Sequence, residues 1–195
     1  MSRVHWIKSH GWVCALLAAL ISAAAARAQE SPKIELAASN CVVRFSVNST
    51  WHLVQGRVPQ LHGWARFERP GDFNTLQATI ETDVATLTTD HESRDNKMRG
   101  FCFEGALFPK VTFRLEQARF MEDKHVVFSG SLTIRDVTRR LVVGGQYSVK
   151  DKQFEFMGAG DLRWADFSMR DPSTFFGKLQ PDVKVLVEIK VPKNW

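Results

Sequence analysis

Apolar and polar residues alternate with a period of two along most of the chain after Asn40. Positions 41, 43, 45 and 47 carry Cys, Val, Phe and Val, whereas Arg44, Ser46 and Asn48 fall on the other face. Positions 76, 78, 80, 82 and 84 alternate with polar neighbours in the same way. Because successive side chains of a strand point to opposite faces, this pattern predicts β-strands with one buried face.

Further alternation lies in residues 111–115, 126–134, 141–149, 154–162 and 183–189, and residues 51–68 predict two strands joined near Pro59. The total is eight or nine strands. No Pro-rich or Ser-rich linker and no internal repeat divides them, so the pattern predicts one mostly antiparallel β domain, a barrel or a sandwich. A closed barrel of about eight strands has an interior that side chains fill or that holds one small ligand.

The alternation stops in residues 89–100, which predict one short helix. Thr89 and Glu92 have the spacing of a capping box, in which the glutamate reaches back to the first turn. Gly100 suits the position that follows the end of a helix.

The first 28 residues predict a cleaved signal peptide. Arg3 and Lys8 precede an apolar run over residues 11–26, and Ala26, Arg27 and Ala28 give the small-x-small pattern before a cleavage site. A membrane anchor is the alternative, but a spanning helix needs about 20 apolar residues and this run is shorter. We therefore expect a mature domain of residues 29–195 that is exported to the periplasm.

Removal of this segment changes the charge balance. The chain has 26 basic and 21 acidic residues, and loss of Arg3, Lys8 and Arg27 leaves 23 basic residues against 21 acidic ones. A balance this close to neutral does not favour a nucleic-acid partner.

Cys41 and Cys102 remain in the mature domain. In an oxidising compartment an even pair is a disulfide candidate, and closing so long a loop would stabilise the fold by about 4 kcal/mol in the chain-entropy model. Two buried free thiols are the alternative. We expect no metal site, because these cysteines are too few and the histidines show no tight ligand spacing.

The aromatic and glycine positions raise the question of a cavity. All fourteen phenylalanines follow position 44, and several share strand faces with Gly130, Gly158 and Gly160. In one interpretation large rings wall a pocket and glycines leave it open. In the other, the glycines mark bulges or barrel corners and the rings pack on each other. The pattern favours neither.

Catalytic motifs are not evident in the sequence: it contains no nucleophile elbow, zinc-protease motif or phosphate loop. Arg94 and Asp95 on the predicted helix, and Asp166 after a tryptophan, form ion pairs that hold the fold in one interpretation and contact a ligand in another. An enzyme acting on an amphiphile would use Asp95 or His91 as its base, and neither residue has an evident catalytic partner. A filled barrel that serves as an interaction module is a further alternative.

Three segments resemble the motifs of one family. They are Ser93–Met98 with Phe103 and Phe108–Phe113, then Gly130–Arg139, and last Arg163–Met169. Their order and spacing are similar to those of the YceI-like lipid- and polyisoprenoid-binding proteins, over about residues 38–191. Ser168 stands where that family has a glycine, and Met98 replaces an aliphatic residue.

The resemblance implies an extended, lipocalin-like antiparallel barrel that encloses a long isoprenoid or similar amphiphile in the periplasm. The expected function is binding, storage or transport of an apolar amphiphile such as a polyisoprenoid or an isoprenoid quinone, without enzymatic activity and without a cofactor other than the bound lipid. The expected partners are this hydrophobic ligand and, transiently, a membrane or membrane protein.

Ten apolar residues on the predicted inward faces are the candidate ligand-binding residues. They are Phe45, Val47, Phe67, Ile80, Phe113, Phe128, Leu132, Phe156, Leu162 and Val185.

Overall fold

Ten antiparallel strands form one sheet in the computed structural model, which describes residues 33–69, 72–174 and 177–193. The strands are β1 (Ile34–Ala37), β2 (Cys41–Ser49), β3 (Leu53–Val58), β4 (His62–Phe67), β5 (Leu76–Asp83), β6 (Lys110–Phe120), β7 (His125–Ile134), β8 (Val137–Lys150), β9 (Gln153–Arg163) and β10 (Leu179–Pro192). The predicted fold class, mostly antiparallel β with one short helix, is confirmed, with ten strands rather than about eight. The predicted signal segment lies outside the described residues.

Two short connectors force this sheet to curl. The strand order is β1-β4-β5-β6-β7-β8-β9-β10-β2-β3, so residues 38–40 and residues 59–61 each join strands from opposite margins of the sheet. A flat sheet of ten strands would be about 43 Å wide at the usual strand spacing. A connector of three residues reaches at most about 15 Å. The margins must therefore lie close together, and the sheet bends into the expected barrel-like form.

The free edge of β3 is covered by the segment that follows β5. The backbone N–H of Arg57 donates to the carbonyl of Thr88 at 2.8 Å, and the N–H of Thr88 donates back at 3.2 Å. The Arg57 guanidinium also donates to Asp90 at 2.6 Å. These bonds fasten one margin of the sheet to the helical segment of the chain.

The inward face of the sheet carries the apolar positions of the sequence pattern. On β7, Val126, Phe128, Leu132 and Ile134 are buried in the core. Cross-strand neighbours on β6 and β8 share this face, because the register pairs Leu132 with Phe113 and Phe128 with Val143. The period-two pattern therefore identified the buried face correctly.

The helix is shorter than the sequence predicts, and a different residue caps its start. α1 spans Glu92–Lys97 and continues as a π-helical turn over Met98–Cys102. Its N-cap is His91, whose Nδ1 accepts from the N–H of Arg94 at 3.4 Å, so the capping box expected from Thr89 and Glu92 is not formed. Gly100 lies inside the π-helical turn rather than after its end. No helix in the described ranges has the length and apolar character needed to span a membrane.

Ser168 adopts a backbone conformation that glycine favours. Its φ of 53° and ψ of 25° are left-handed, at the end of the short 3-10 helix Trp164–Phe167. The Arg135 guanidinium donates to the Ser168 carbonyl and to Glu104. The turn therefore keeps its geometry although serine adopts this region less readily than glycine.

Candidate functional site

The curled sheet encloses a cavity of about 670 Å³. Its walls are aliphatic and aromatic side chains from every strand, and Ala65 and Ala78 face each other across β4 and β5 on this inner surface. A cavity of this size lies within the range of about 300–1,000 Å³ that is common for small-molecule sites. The barrel is therefore not filled by its own side chains, which contradicts the filled-barrel alternative.

Nine of the ten candidate ligand-binding residues border the cavity. They are Phe45, Phe67, Ile80, Phe113, Phe128, Leu132, Phe156, Leu162 and Val185. Val47 is buried but does not border it. It lies on β2 between its cross-strand partners Val54 and Val183, which both border the cavity.

Aromatic rings close one end of the cavity. Phe120, at the end of β6, lies 4.6 Å from the Phe73 ring, 5.2 Å from the Tyr147 ring and 6.4 Å from the Phe154 ring, measured between centroids. Edge-to-face contacts such as the one between Phe120 and Tyr147 are favoured by the charge distribution of aromatic rings. This cluster forms an apolar floor.

The glycines of the inward faces do not leave gaps. A side chain at Gly56 would overlap the ring of Phe45, its cross-strand partner, and one at Gly158 would overlap the ring of Phe156. A Cβ at Gly130 would lie 2.7 Å from Cζ of Phe113. The alternative in which glycines mark bulges also has support, because the β6 register shifts between Leu115 and Gln117, opposite Gly130.

The sequence left open whether the glycines keep a pocket open or serve packing. These contacts between rings and glycines support a part of each alternative. Each ring lies along the wall, over the backbone of a glycine, where any other residue would push it away. The cavity stays wide because the rings lie flat, not because the glycine positions are empty.

Polar side chains surround the opposite end, where three segments meet to form the mouth of the cavity. These segments are α1, the turn at residues 50–52 and the connection between β9 and β10. Lys97 Nζ of α1 donates to the Pro172 carbonyl at 2.6 Å. The N–H of Thr50 donates to the carbonyl of Lys178 at 2.9 Å.

Asp95 holds the start of α1 in place. Its carboxylate accepts from Thr88 Oγ1 at 2.6 Å, from the N–H of Thr89 at 2.7 Å and from Thr89 Oγ1 at 2.5 Å. Burial alone would raise the pKa of Asp95, but the hydrogen bonds from Thr88 and Thr89 lower it below its usual value. The Arg99 guanidinium lies 3.7 Å from the same carboxylate. Asp95 is 4% exposed and does not border the cavity, so its role is to fix the fold.

The other polar candidates differ in position. Arg94 borders the cavity, whereas Asp166 is exposed and lies outside it. His91 also borders the cavity, but among the described residues no side chain hydrogen-bonds to its ring. The catalytic alternative based on Asp95 or His91 therefore gains no partner from the structure. No three His, Cys, Asp or Glu side chains within residues 33–69, 72–174 and 177–193 come together as a metal site.

The predicted disulfide is wrong, since Cys41 and Cys102 are both buried free thiols. Cys41 begins β2 opposite Ile189, toward the aromatic floor, whereas Cys102 lies in the π-helical turn that borders the cavity near its mouth. The two residues therefore lie in different parts of the fold. Burial raises the pKa of each thiol to about 11, which keeps both protonated and poorly nucleophilic at neutral pH.

Most residues at the mouth were not predicted from the sequence. Trp51, Lys97, Arg170 and Lys178 border the cavity from a turn, a helix and a long connection. Loop residues have no periodicity that assigns them to a face. Lys97 lies inside the recognised motif Ser93–Met98, which is the signal that could have identified it.

Comparison with known proteins gives a match over residues 34–191 to the model of a family described as the YceI-like domain. Among curated proteins there is no match.

Solved structures show the same fold. BcnA from Burkholderia cenocepacia is 14% identical with a TM-score of 0.69, and the match covers 77% of this chain and 95% of that one. The YCEI protein of Campylobacter jejuni is 17% identical with a TM-score of 0.62, covering 73% and 86%. A polyisoprenoid binding domain from Saccharophagus degradans is 14% identical with a TM-score of 0.60, covering 83% and 98%. At these identities the similarity concerns the fold alone.

Replacing Asp95 with Asn should lower the free energy of unfolding at pH 7 by about 2 kcal/mol, because the hydrogen bonds from Thr88 and Thr89 then lose their charged acceptor. The lowered pKa means that this stabilisation is present above the usual value of 3.8 and is lost as the pH falls through the folded-state pKa. Denaturant unfolding between pH 7 and pH 3 should show the two proteins converging at low pH. Asp90→Asn, in an exposed ion pair with Arg57, is the control and should change little. Equal stability of Asp95→Asn and wild type at pH 7 would contradict this role.

Gly56→Ala should weaken binding of an apolar ligand, because the new methyl group displaces the Phe45 ring toward the cavity. Adding Phe45→Leu should restore part of the affinity by removing the ring. The matched control is Gly144→Ala on the outward face, where the nearest atom to a new Cβ is 3.9 Å away. The measurement is titration with geranylgeraniol. If Gly56→Ala bound as well as Gly144→Ala, the ring would not set the width of the cavity.

Proposed function

Because the chain belongs to the family of YceI-like domains, we propose that it binds, stores or carries a long apolar amphiphile in the cavity of its curled sheet. The observation that carries this proposal is the shape of the cavity, with apolar walls, an aromatic floor and a polar mouth. Such a site accepts the tail of an amphiphile and leaves its head at the mouth.

The hydrophobic effect alone is sufficient to retain such a ligand without a covalent bond. Burying about 400 Å² of hydrocarbon contributes about 10 kcal/mol before the entropic costs of association and of ordering the chain are subtracted. This driving force depends on area and not on a particular contact, so it suits a ligand defined mainly by its tail.

The ligand class that we propose is a polyisoprenoid or isoprenoid quinone. Support comes from the fold shared with the Saccharophagus degradans protein described as a polyisoprenoid binding domain. We propose a carrier rather than an enzyme, because the walls are hydrocarbon and neither Asp95 nor His91 is paired with a second catalytic group among the described residues. Nothing in the family comparison names a reaction.

Binding should be lost when the cavity is filled. Ala78→Trp places an indole in the cavity, so affinity for geranylgeraniol should fall about tenfold or more, while thermal stability should change less than in a packed core, where overpacking costs about 1–3 kcal/mol. Gln146→Trp, at an exposed position of β8, is the matched control. Mass spectrometry of an organic extract of protein from its native host should find an isoprenoid lipid in wild type and less in Ala78→Trp. Failure of wild type both to bind geranylgeraniol and to carry any lipid would overturn the proposed function.

We also propose export to the periplasm, on the evidence of the predicted signal at residues 1–28. N-terminal sequencing of the protein recovered from the periplasmic fraction should give Gln29 as the first residue. Recovery of a chain that begins at Met1, or recovery only from the cytoplasm, would contradict export.

A further inference from the structure

The charged side chains that border the cavity are mostly cations. Among the described residues they are Arg94, Lys97, Arg170 and Lys178, against the single acid Glu81. Glu81 already has two partners, since its carboxylate lies 3.2 Å from the ammonium group of Lys110 and 3.4 Å from the ring of His62. The four cations come from the segments that form the mouth.

Two of these cations, Arg94 and Lys97, donate hydrogen bonds to neutral oxygens, and within the described residues neither forms a salt bridge. Arg94 Nε donates to Thr89 Oγ1 at 2.6 Å, and its Nη2 donates to the Thr89 carbonyl at 2.8 Å. Lys97 Nζ donates to the Pro172 carbonyl at 2.6 Å. Neutral acceptors orient these side chains without cancelling their charge.

The remaining two cations, and Lys97 with them, are partly compensated by carboxylates. Arg170 forms an ion pair with Glu104 at 2.8 Å. The pKa of Asp171 is lowered mainly by hydrogen bonds from Ser173 and less by the charges of Lys97 and Lys178, so this carboxylate offsets part of the lysine charge. Asp171 itself does not border the cavity. An excess of positive charge therefore remains where α1 meets the cavity.

The spacing of Arg94 and Lys97 puts both on one side of α1, because residues three apart in a helix are neighbours. His91 and Ser93 border the cavity from the same segment and can add hydrogen-bond donors. The apolar walls beside them lower the local dielectric, which strengthens the attraction of these cations for an anion.

We propose that the ligand carries an acidic oxyanion head, a phosphate or carboxylate, which lies between Arg94 and Lys97 while its tail occupies the cavity. This inference rests on the proposed function and narrows it, because it favours a polyisoprenoid with an acidic head over a quinone, whose head is neutral. Charge-assisted hydrogen bonds to the head would fix the depth at which the amphiphile sits, since the apolar wall alone does not.

The test compares geranylgeranyl phosphate with geranylgeraniol, which share one tail, on delipidated full-length mature protein. Wild type should bind the phosphate about tenfold or more tightly, and the ratio of the two affinities should shrink as salt is raised. Lys97→Glu should reduce that ratio by about tenfold or more, and Lys97→Gln should reduce it less. Lys184→Gln, an exposed lysine on the outward face of β10, is the matched control and should leave the ratio at its wild-type value.

Inorganic phosphate alone should compete only weakly, because it lacks the tail. Equal affinity of wild type for the two lipids would overturn this inference and leave the proposed function standing. An unchanged ratio in Lys97→Glu, or inorganic phosphate that binds as tightly as geranylgeranyl phosphate, would also overturn it. If neither lipid bound and no lipid were extracted, the proposed function itself would fail.

Discussion

The reach of two connectors determines the shape of this molecule. Residues 38–40 and residues 59–61 join strands that lie at opposite margins of a ten-stranded sheet. No flat arrangement allows three residues to cross that width, so the sheet must curl and its inward face must surround a volume. The cavity, its apolar walls and its two unlike ends all depend on this constraint. The bonds between Arg57 and Thr88 then fasten the remaining margin.

The width of the cavity depends on pairing large side chains with glycine. Phe45, Phe113 and Phe156 lie over Gly56, Gly130 and Gly158, and this lets each ring follow the wall. Aromatic rings thereby contribute apolar surface without crossing the space. The floor uses the same residue type differently, since the rings around Phe120 pack on each other and seal one end.

The two neighbouring residues Arg94 and Asp95 point in different directions. Asp95 points into the fold and holds the residues before α1 through three short hydrogen bonds, while Arg94 borders the cavity. Thr89 joins them, because its hydroxyl donates to Asp95 and accepts from Arg94. The buried carboxylate thus holds, through Thr89, a cation that borders the cavity.

The sequence by itself determined most of the strands, their inward faces and nine of the cavity residues, because the period of two is a local property of extended chain. The motifs around Arg94, Gly130 and Asp166 indicated the family. The number of strands, the absence of a bond between Cys41 and Cys102 and the withdrawal of Val47 from the cavity were decided only by the tertiary structure. Each of these depends on how distant segments meet when the sheet curls, and so does the placement of cations from α1 and from the connection between β9 and β10 at one mouth. Local patterns fix which face of a strand is buried, but they do not fix what lies opposite that face.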